Sequence, residues 1–308
     1  MNRDIHGIVP VIPMPFRDDE SIDEPVLRRV IDFVVSQGVS ALCLPAYGSE
    51  FYKLSEVERA RVIEIAIDQT RGRCLVVAQA NHPSACHAGE LARNYEKLGA
   101  DVISFAIPRQ FASTDADVIA YCGGIAGAVG CPILIQDFNP GGPTMSPQVI
   151  GELNRQHAHI RYVKLEEPMI IDKIHKTRAE VGGRVGILGG WGGYYMLESM
   201  SAGAIGFMPG AAICDILSRV FHANEDGAGE EAYRLFSEVL PLIAFSLQDF
   251  EMFLHMEKRL LVRRGVFTSQ KCRAMTRTFS EQVSRHIDWL LDRVMAILQQ
   301  ENMAAGGS

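Results

Sequence analysis

The 308-residue chain lacks the marks of several protein classes. Its seven cysteines (Cys43, Cys74, Cys86, Cys122, Cys131, Cys214 and Cys272) form no Cys-x-x-Cys pair and no regular framework. Several lie in apolar runs, Cys43 in ALCLPA and Cys74 in CLVVAQA, where cysteine behaves as a small hydrophobe. The odd count points away from a disulfide scaffold and toward a reducing compartment. There is no basic block: 30 Lys and Arg against 37 Asp and Glu leave a net charge of −7, spread along the chain. That disfavours nucleic acid and anionic membranes as partners. No apolar run reaches the roughly 18–20 residues of a membrane span, and MNRDIHGIVP has no secretory apolar core. The expected location is the cytoplasm. No low-complexity linker occurs, and no G-x-G-x-x-G follows the first apolar run, which counts against a doubly wound dinucleotide fold.

What the chain does have is alternation. With 47% hydrophobic and 22% charged residues it has the composition of a globular protein. Short apolar runs at 7–13, 41–46, 74–80, 101–107, 132–138, 160–166, 185–190 and 204–209 are often bounded by Gly or Pro. They read as parallel strands buried on both faces. Helical stretches lie between them. Ser55 with Glu58 forms a capping box and Gly72 a stop; Gly99 ends the stretch from Leu91 to Leu98; Ser146-Pro147 opens another helix. Eight such units in about 220 residues predict an α/β fold, a (β/α)8 TIM barrel. Beyond it, 227–247, 249–264 and 280–300 read as a C-terminal helical extension. The expected division is a barrel over 1–223, a helical bundle over 224–302 and a flexible tail over 303–308.

A barrel carries its chemistry where the strands end. Those ends hold Ala46-Tyr47-Gly48-Ser49-Glu50, Gln136-Asp137-Phe138-Asn139, Lys164-Leu165-Glu166-Glu167 and Gly189-Gly190-Trp191-Gly192-Gly193. Lys164 lies inside a strand that should be buried, where desolvation favours the neutral, nucleophilic amine. Glu166, two residues on, shares its face. The pair suits Schiff-base chemistry with proton transfer, or else a lysine salt-bridged at a strand mouth. Gly48 and Ser49 offer N–H groups and a hydroxyl to a carboxylate, or an ordinary turn. Glu50 can cap or orient that loop. Gly190 permits close backbone approach, and Trp191 and Met208 can wall a pocket. His82, Cys86 and His87 match no defined zinc motif, so no metal is expected. His157 and His159 flank a turn and are expected in solvent.

These strand ends, in this order, resemble the dihydrodipicolinate synthase/N-acetylneuraminate lyase superfamily of Schiff-base lyases. The likeness runs through GIVPVIPMPF, SEFYKLSEVER, CPILIQDF and YVKLEEP. It implies a (β/α)8 barrel with a helical extension, assembly as a homodimer or homotetramer, and Lys164 as the Schiff-base lysine with no separate cofactor. Three departures stand out. The family's Gly-Thr-Thr-Gly-Glu loop is replaced by Ala46-Tyr47-Gly48-Ser49-Glu50. Its proton-relaying tyrosine on strand five aligns with Gln136. Its paired tyrosines after strand four align with Arg109 and Gln110.

The IQD, KLE and SEF motifs, with Gly190-Trp191 and Gly265-Val266, are more similar to the 2-keto-3-deoxy-L-arabonate dehydratases. That implies a small 2-keto acid substrate dehydrated to an α-keto semialdehyde. Lys164, Glu166 and Gln136 are then the catalytic candidates; Tyr47, Gly48, Ser49, Glu50, Gly190, Trp191 and Met208 bind substrate. Arg109 is a further candidate for the substrate's polar end. A pyruvate-dependent aldolase and a non-catalytic binding paralogue are the alternatives.

Overall fold

The computed structural model describes residues 4–110, 112–139 and 142–306, with side chains as far as residue 300. Eight strands alternate with eight helices: β1 (Gly7–Ile8), α1 (Glu24–Val35), β2 (Ala41–Leu44), α2 (Glu56–Thr70), β3 (Leu75–Gln79), α3 (Ala85–Leu98), β4 (Val102–Ala106), α4 (Asp115–Ala126), β5 (Ile133–Phe138), α5 (Pro147–Gln156), β6 (Ile160–Glu166), α6 (Ile170–Val181), β7 (Gly186–Gly189), α7 (Met196–Ser201), β8 (Gly206–Phe207) and α8 (Cys214–Glu225). All eight strands pair in parallel in the order β1-β8-β7-β6-β5-β4-β3-β2. A parallel bridge between Val11 and Cys43 joins the two ends. The sheet therefore closes on itself as a TIM barrel, as the spacing of apolar runs led us to expect.

Alternation of side chains sorts the residues into two cores. One side of each strand packs inside the barrel, with Val11, Ala41, Cys43, Val77, Val102, Leu134, Tyr162 and Leu188 in one buried cluster. The other side meets the helices, with Leu42, Val76, Ile103, Ile135, Val163, Leu165 and Ile187 in the larger cluster. The helix signals act locally. Ser55 Oγ accepts from Glu58 N–H while Glu58 Oε2 accepts from Ser55 N–H, closing the capping box. Ser146 Oγ caps α5 at Val149 N–H, and Gly99 ends α3 with φ +106°.

Three further helices, α9 (Gly229–Ser246), α10 (Phe250–Arg263) and α11 (Glu281–Gly306), follow the barrel. The last barrel helix reaches Glu225, two residues past the expected boundary, and α11 runs through Gly306, into the segment expected as a tail. Residues 307–308 lie outside the described ones. The extension is clamped onto the barrel by contacts from α10 and the segment after it. Arg273 reaches Glu58 at 2.7 Å and the Lys53 carbonyl at 2.8 Å. Arg264 pairs with Asp215 at 2.6 Å, and Glu257 accepts from Ala212 N–H at 3.0 Å. Among the described residues no helix is long and apolar enough to cross a membrane.

Candidate active site

Strand β6 builds the centre of the site. Tyr162, Lys164 and Glu166 fall on its interior side, Val163 and Leu165 on the helix side. Tyr162 fills the barrel lower down, its hydroxyl accepting from Ile5 N–H at 3.2 Å. Above it Lys164 and Glu166 are each only 7% exposed, and Lys164 Nζ stands 3.4 Å from Glu166 Oε1. The lysine is thus both buried and ion-paired at the strand mouth. With so little of the carboxylate exposed, protein groups supply its donors. Gln136 on β5 donates Nε2 to Glu166 Oε2 at 2.7 Å. Trp191 donates its backbone N–H to Oε1 at 3.0 Å.

Gly190 is explained by the same carboxylate. A Cβ there would lie 2.2 Å from Glu166 Cγ and Oε1, so no side chain fits. Trp191 next to it takes φ 49°, a left-handed backbone that aims its N–H at Glu166. Gly190 therefore makes room for the carboxylate rather than for a ligand; it lies beneath Glu166 and does not line the cleft.

The cleft above Lys164 has a volume of about 490 Å³. Of the expected substrate-binding residues, Tyr47, Gly48, Trp191 and Met208 line it together with Lys164, Glu166 and Gln136. Tyr47 is held by edge-on contacts with Phe51 at 5.0 Å and Phe250 at 6.1 Å. Burial pushes its phenol pKa up, and the charge of Glu166 adds to the rise. Gly48 sits so close to Val11 that a Cβ would come within 3.0 Å of Val11 Cγ1. At the base, burial pushes the Cys43 thiol up to about 12, against the opposing influence of Lys164.

Two expected binding residues turn away. Ser49 is fully buried; its hydroxyl donates to the Ile12 carbonyl at 2.6 Å and accepts from Ala46 N–H at 3.0 Å. A 3-10 turn over Tyr47–Ser49 folds the side chain back under the loop, so the Ser49 hydroxyl does not face the cleft. Glu50, also fully buried with φ 56°, points into the junction with α10. There it pairs with Lys258 in a very short contact, with Lys53 at 3.0 Å and with Arg273 N–H at 3.1 Å. Glu50 ties the loop to the extension instead of binding substrate. Arg109 is likewise engaged elsewhere, gripping Asp137 at 2.7 and 2.8 Å on the helix side of β5.

Away from the cleft, His87 pairs with Glu56 at 2.6 Å and Glu90 at 3.3 Å. His159 is half-buried rather than in solvent, bonded to the Ala126 carbonyl at 3.0 Å.

The sequence did not single out the roof. Ser246, Leu247, Gln248, Asp249, Phe250 and Phe253, from the joint between α9 and α10, close over the cleft, and Phe138 and Tyr194 complete its wall. Nor did it single out Gln79, the last residue of β3, whose Nε2 donates to Gln136 Oε1 at 2.8 Å. A signal was present in that case: one polar residue at the mouth of an apolar strand, as at Lys164 and Gln136.

Comparison with known proteins agrees with this architecture. An L-2-keto-3-deoxyarabonate dehydratase from Azospirillum brasilense is 26% identical over 274 residues, 87% of each chain. A 4-hydroxy-tetrahydrodipicolinate synthase from Methanopyrus kandleri is 28% identical over 246 residues, 79% of this chain and 81% of its own. The crystal structure of dihydrodipicolinate synthase from Rhodopseudomonas palustris superposes with a TM-score of 0.88 at 27% identity, covering 95% of this chain and 99% of that one. The pattern of one lyase family matches residues 4–293, from the first strand into the last helix. A closed parallel barrel with a buried lysine on its sixth strand, matched over nearly its full length, belongs to the dihydrodipicolinate synthetase family.

Proposed function

We propose that the chain is a Schiff-base dehydratase acting on a 2-keto-3-deoxy sugar acid such as 2-keto-3-deoxy-L-arabonate. The observation that carries this reading is the buried Lys164–Glu166 pair with an amide, Gln136, beside the carboxylate in place of an ionisable hydroxyl. The relative from Azospirillum brasilense, named as a dehydratase of that compound, supports the substrate class.

In this scheme the Lys164 amine adds to the C2 carbonyl, and water leaves to give an iminium. The substrate carboxylate faces the backbone at Tyr47–Gly48. Glu166 takes a C3 proton and the electron pair becomes the enamine. The enamine then expels the C4 hydroxyl, which leaves as water on receiving a proton. Tyr47 supplies that proton: burial and the nearby Glu166 keep its phenol protonated. A protonated phenol can give a proton to a departing hydroxyl, whereas retro-aldol cleavage needs a group that takes one. Hydrolysis at C2 frees the lysine, and migration of the C3–C4 double bond toward C5 gives the α-keto semialdehyde. The electron sink is the iminium on Lys164, so the scheme needs no metal or dissociable cofactor. Assembly as a dimer or tetramer in the cytoplasm belongs to the same proposal.

The test is borohydride reduction with 2-keto-3-deoxy-L-arabonate and, separately, with pyruvate, followed by mass mapping and product analysis. We expect an adduct on Lys164 and a semialdehyde product from the sugar acid. Glu166→Gln should retain the adduct and lose about 10²–10⁴-fold in turnover. Unchanged turnover in that variant would sink the scheme, and pyruvate among the products would move the assignment to an aldolase.

A further inference from the structure

Three side chains run in a row inside the barrel, from β3 past β4 to β5 and β6. Gln79 on β3 donates to Gln136 Oε1 at 2.8 Å, and Gln136 on β5 donates to Glu166 Oε2 at 2.7 Å. All three are buried, and Oε1 of Gln79 has no hydrogen-bond partner among the described residues. A buried amide oxygen left bare costs free energy that most interiors avoid. The orientation of both amides follows from the charge at the end of the row. An ionised carboxylate only accepts, so Gln136 must present its NH2 to Glu166 and its carbonyl to Gln79. Gln79 must answer with its own NH2, and its carbonyl is the group left over.

We propose that Gln79 is a positioning residue for Glu166, and that the two amides form a relay with two settings matched to the two protonation states of that carboxyl. In the resting setting the row reads Gln79 N–H to Gln136 carbonyl, then Gln136 N–H to carboxylate. When Glu166 takes the C3 proton, its new O–H needs an acceptor. Half-turns of both amides provide one: Glu166 O–H donates to Gln136 Oε1, and Gln136 Nε2 donates to Oε1 of Gln79. The orphaned oxygen is then satisfied, and the Gln79 NH2 gives up its acceptor in exchange. One C–H bond of the substrate breaks, one O–H bond forms on Glu166, and the relay itself gains and loses no proton. The other groups facing Glu166 are Lys164 from β6, Tyr47 from the loop after β2 and the Trp191 N–H. Only Lys164 and Tyr47 among them titrate.

The inference rests on the Schiff-base reading, so its test separates the two. Exchange of the pyruvate methyl protons in D2O, followed by NMR from pD 5 to 9, reads proton removal at C3 without any C4 chemistry. Borohydride trapping of pyruvate on Lys164 is measured alongside. In Gln79→Leu the adduct should persist, while exchange falls about ten- to hundredfold, as for a misplaced catalytic group. The acid limb of the profile should also move to higher pD, because a carboxylate that loses a locked donor holds its proton more readily. Gln79→Met, with the same reach, carries the same expectation should the leucine variant fail to fold. Gln79→Leu/Gln136→Leu should be no slower than Gln136→Leu alone, since both act through one bond.

An unmoved profile, with or without a slower rate, overturns the relay while leaving the Schiff base intact; so do additive losses in the double variant. Absence of any adduct in the unmodified protein overturns the Schiff-base reading and the relay with it.

Discussion

Replacing Glu257 by glutamine should stabilise the protein at pH 8 and do much less at pH 5. Glu257 projects from α10 toward the loop after β8, where Oε2 accepts from Ala212 N–H at 3.0 Å. Gly210 passes so close that a Cβ would lie 2.2 Å from Glu257 Cδ. Burial raises this carboxyl from the ordinary 4.5 to about 7, although the Ala211 and Ala212 N–H groups and the charge of Arg264 oppose the rise. The sign follows from proton binding. Between about pH 4.5 and 7 the folded protein holds a proton that the unfolded chain has released, so stability falls as pH rises through that window. Below it the group costs nothing; above it the loss is complete. At about 1.36 kcal/mol for each pH unit separating the two states, the full loss is about 3 kcal/mol. Glutamine keeps the acceptor for Ala212 and cannot ionise. Its advantage over the natural residue should therefore grow by about 2–3 kcal/mol between pH 5 and 8. With an unfolding entropy of about 2.1 cal/mol/K per residue, that is about 3–5 °C in Tm. Paired thermal scans at one protein concentration, from pH 5 to 8, measure it. A difference that stays constant across those pH values would refute the argument.

Two further substitutions probe the parts around the site. Gly190→Ala places a methyl group where Glu166 now lies, 2.2 Å from its carboxylate oxygen, and the side chain must leave Gln136, Trp191 and Lys164 together. Turnover should fall by at least about a hundredfold with the fold retained by circular dichroism, and near-normal turnover would show that Glu166 does not act from its observed position. Lys258→Met removes the closest partner of the fully buried Glu50, leaving Lys53 and the Arg273 N–H. Urea titration should show a loss of about 3–5 kcal/mol, partly recovered in Glu50→Gln/Lys258→Met; no recovery would mean the lysine matters through its bond to the Lys271 carbonyl instead.

The strands were legible because a parallel strand in a barrel is buried on both faces, and apolar runs between Gly and Pro leave few other homes. Lys164 and Glu166 were legible for a related reason: period-two alternation puts both on the side of Tyr162, and a buried amine and carboxylate interrupt an apolar layer. Ser49 and Glu50 were misread because a loop has no such period. Whether the serine hydroxyl looks up or down is set by a 3-10 turn, and the glutamate's direction by a left-handed φ of 56° and by a lysine 208 residues along the chain. The roof was missed because it comes from the α9–α10 joint, and helical periodicity there marks only which face is buried, not what it covers. Arg109 shows the limit of reading by charge: a cation at a strand mouth is as well served by Asp137 on the far side of β5 as by a substrate.

The uppermost interior layer of the barrel explains why these residues come as a set. The layer below is filled by Leu134 and Tyr162, and the register then brings Gln136 and Leu188 beside Lys164 and Phe138 beside Glu166. A carboxylate so little exposed, among apolar neighbours, needs fixed donors. Lys164 stands close on one side, but an amine that is to attack a carbonyl must be free to part from its counter-ion. The donors that remain when it does so are neutral: an amide and a backbone N–H. A hydroxyl in place of Gln136 could also donate, but it could exchange its proton with the carboxylate and with a substrate hydroxyl. An amide does neither, so in the proposed scheme the C3 proton goes to Glu166. In the proposed scheme Gln136, met first as a departure from the family pattern, thus holds the base without competing with it for a proton.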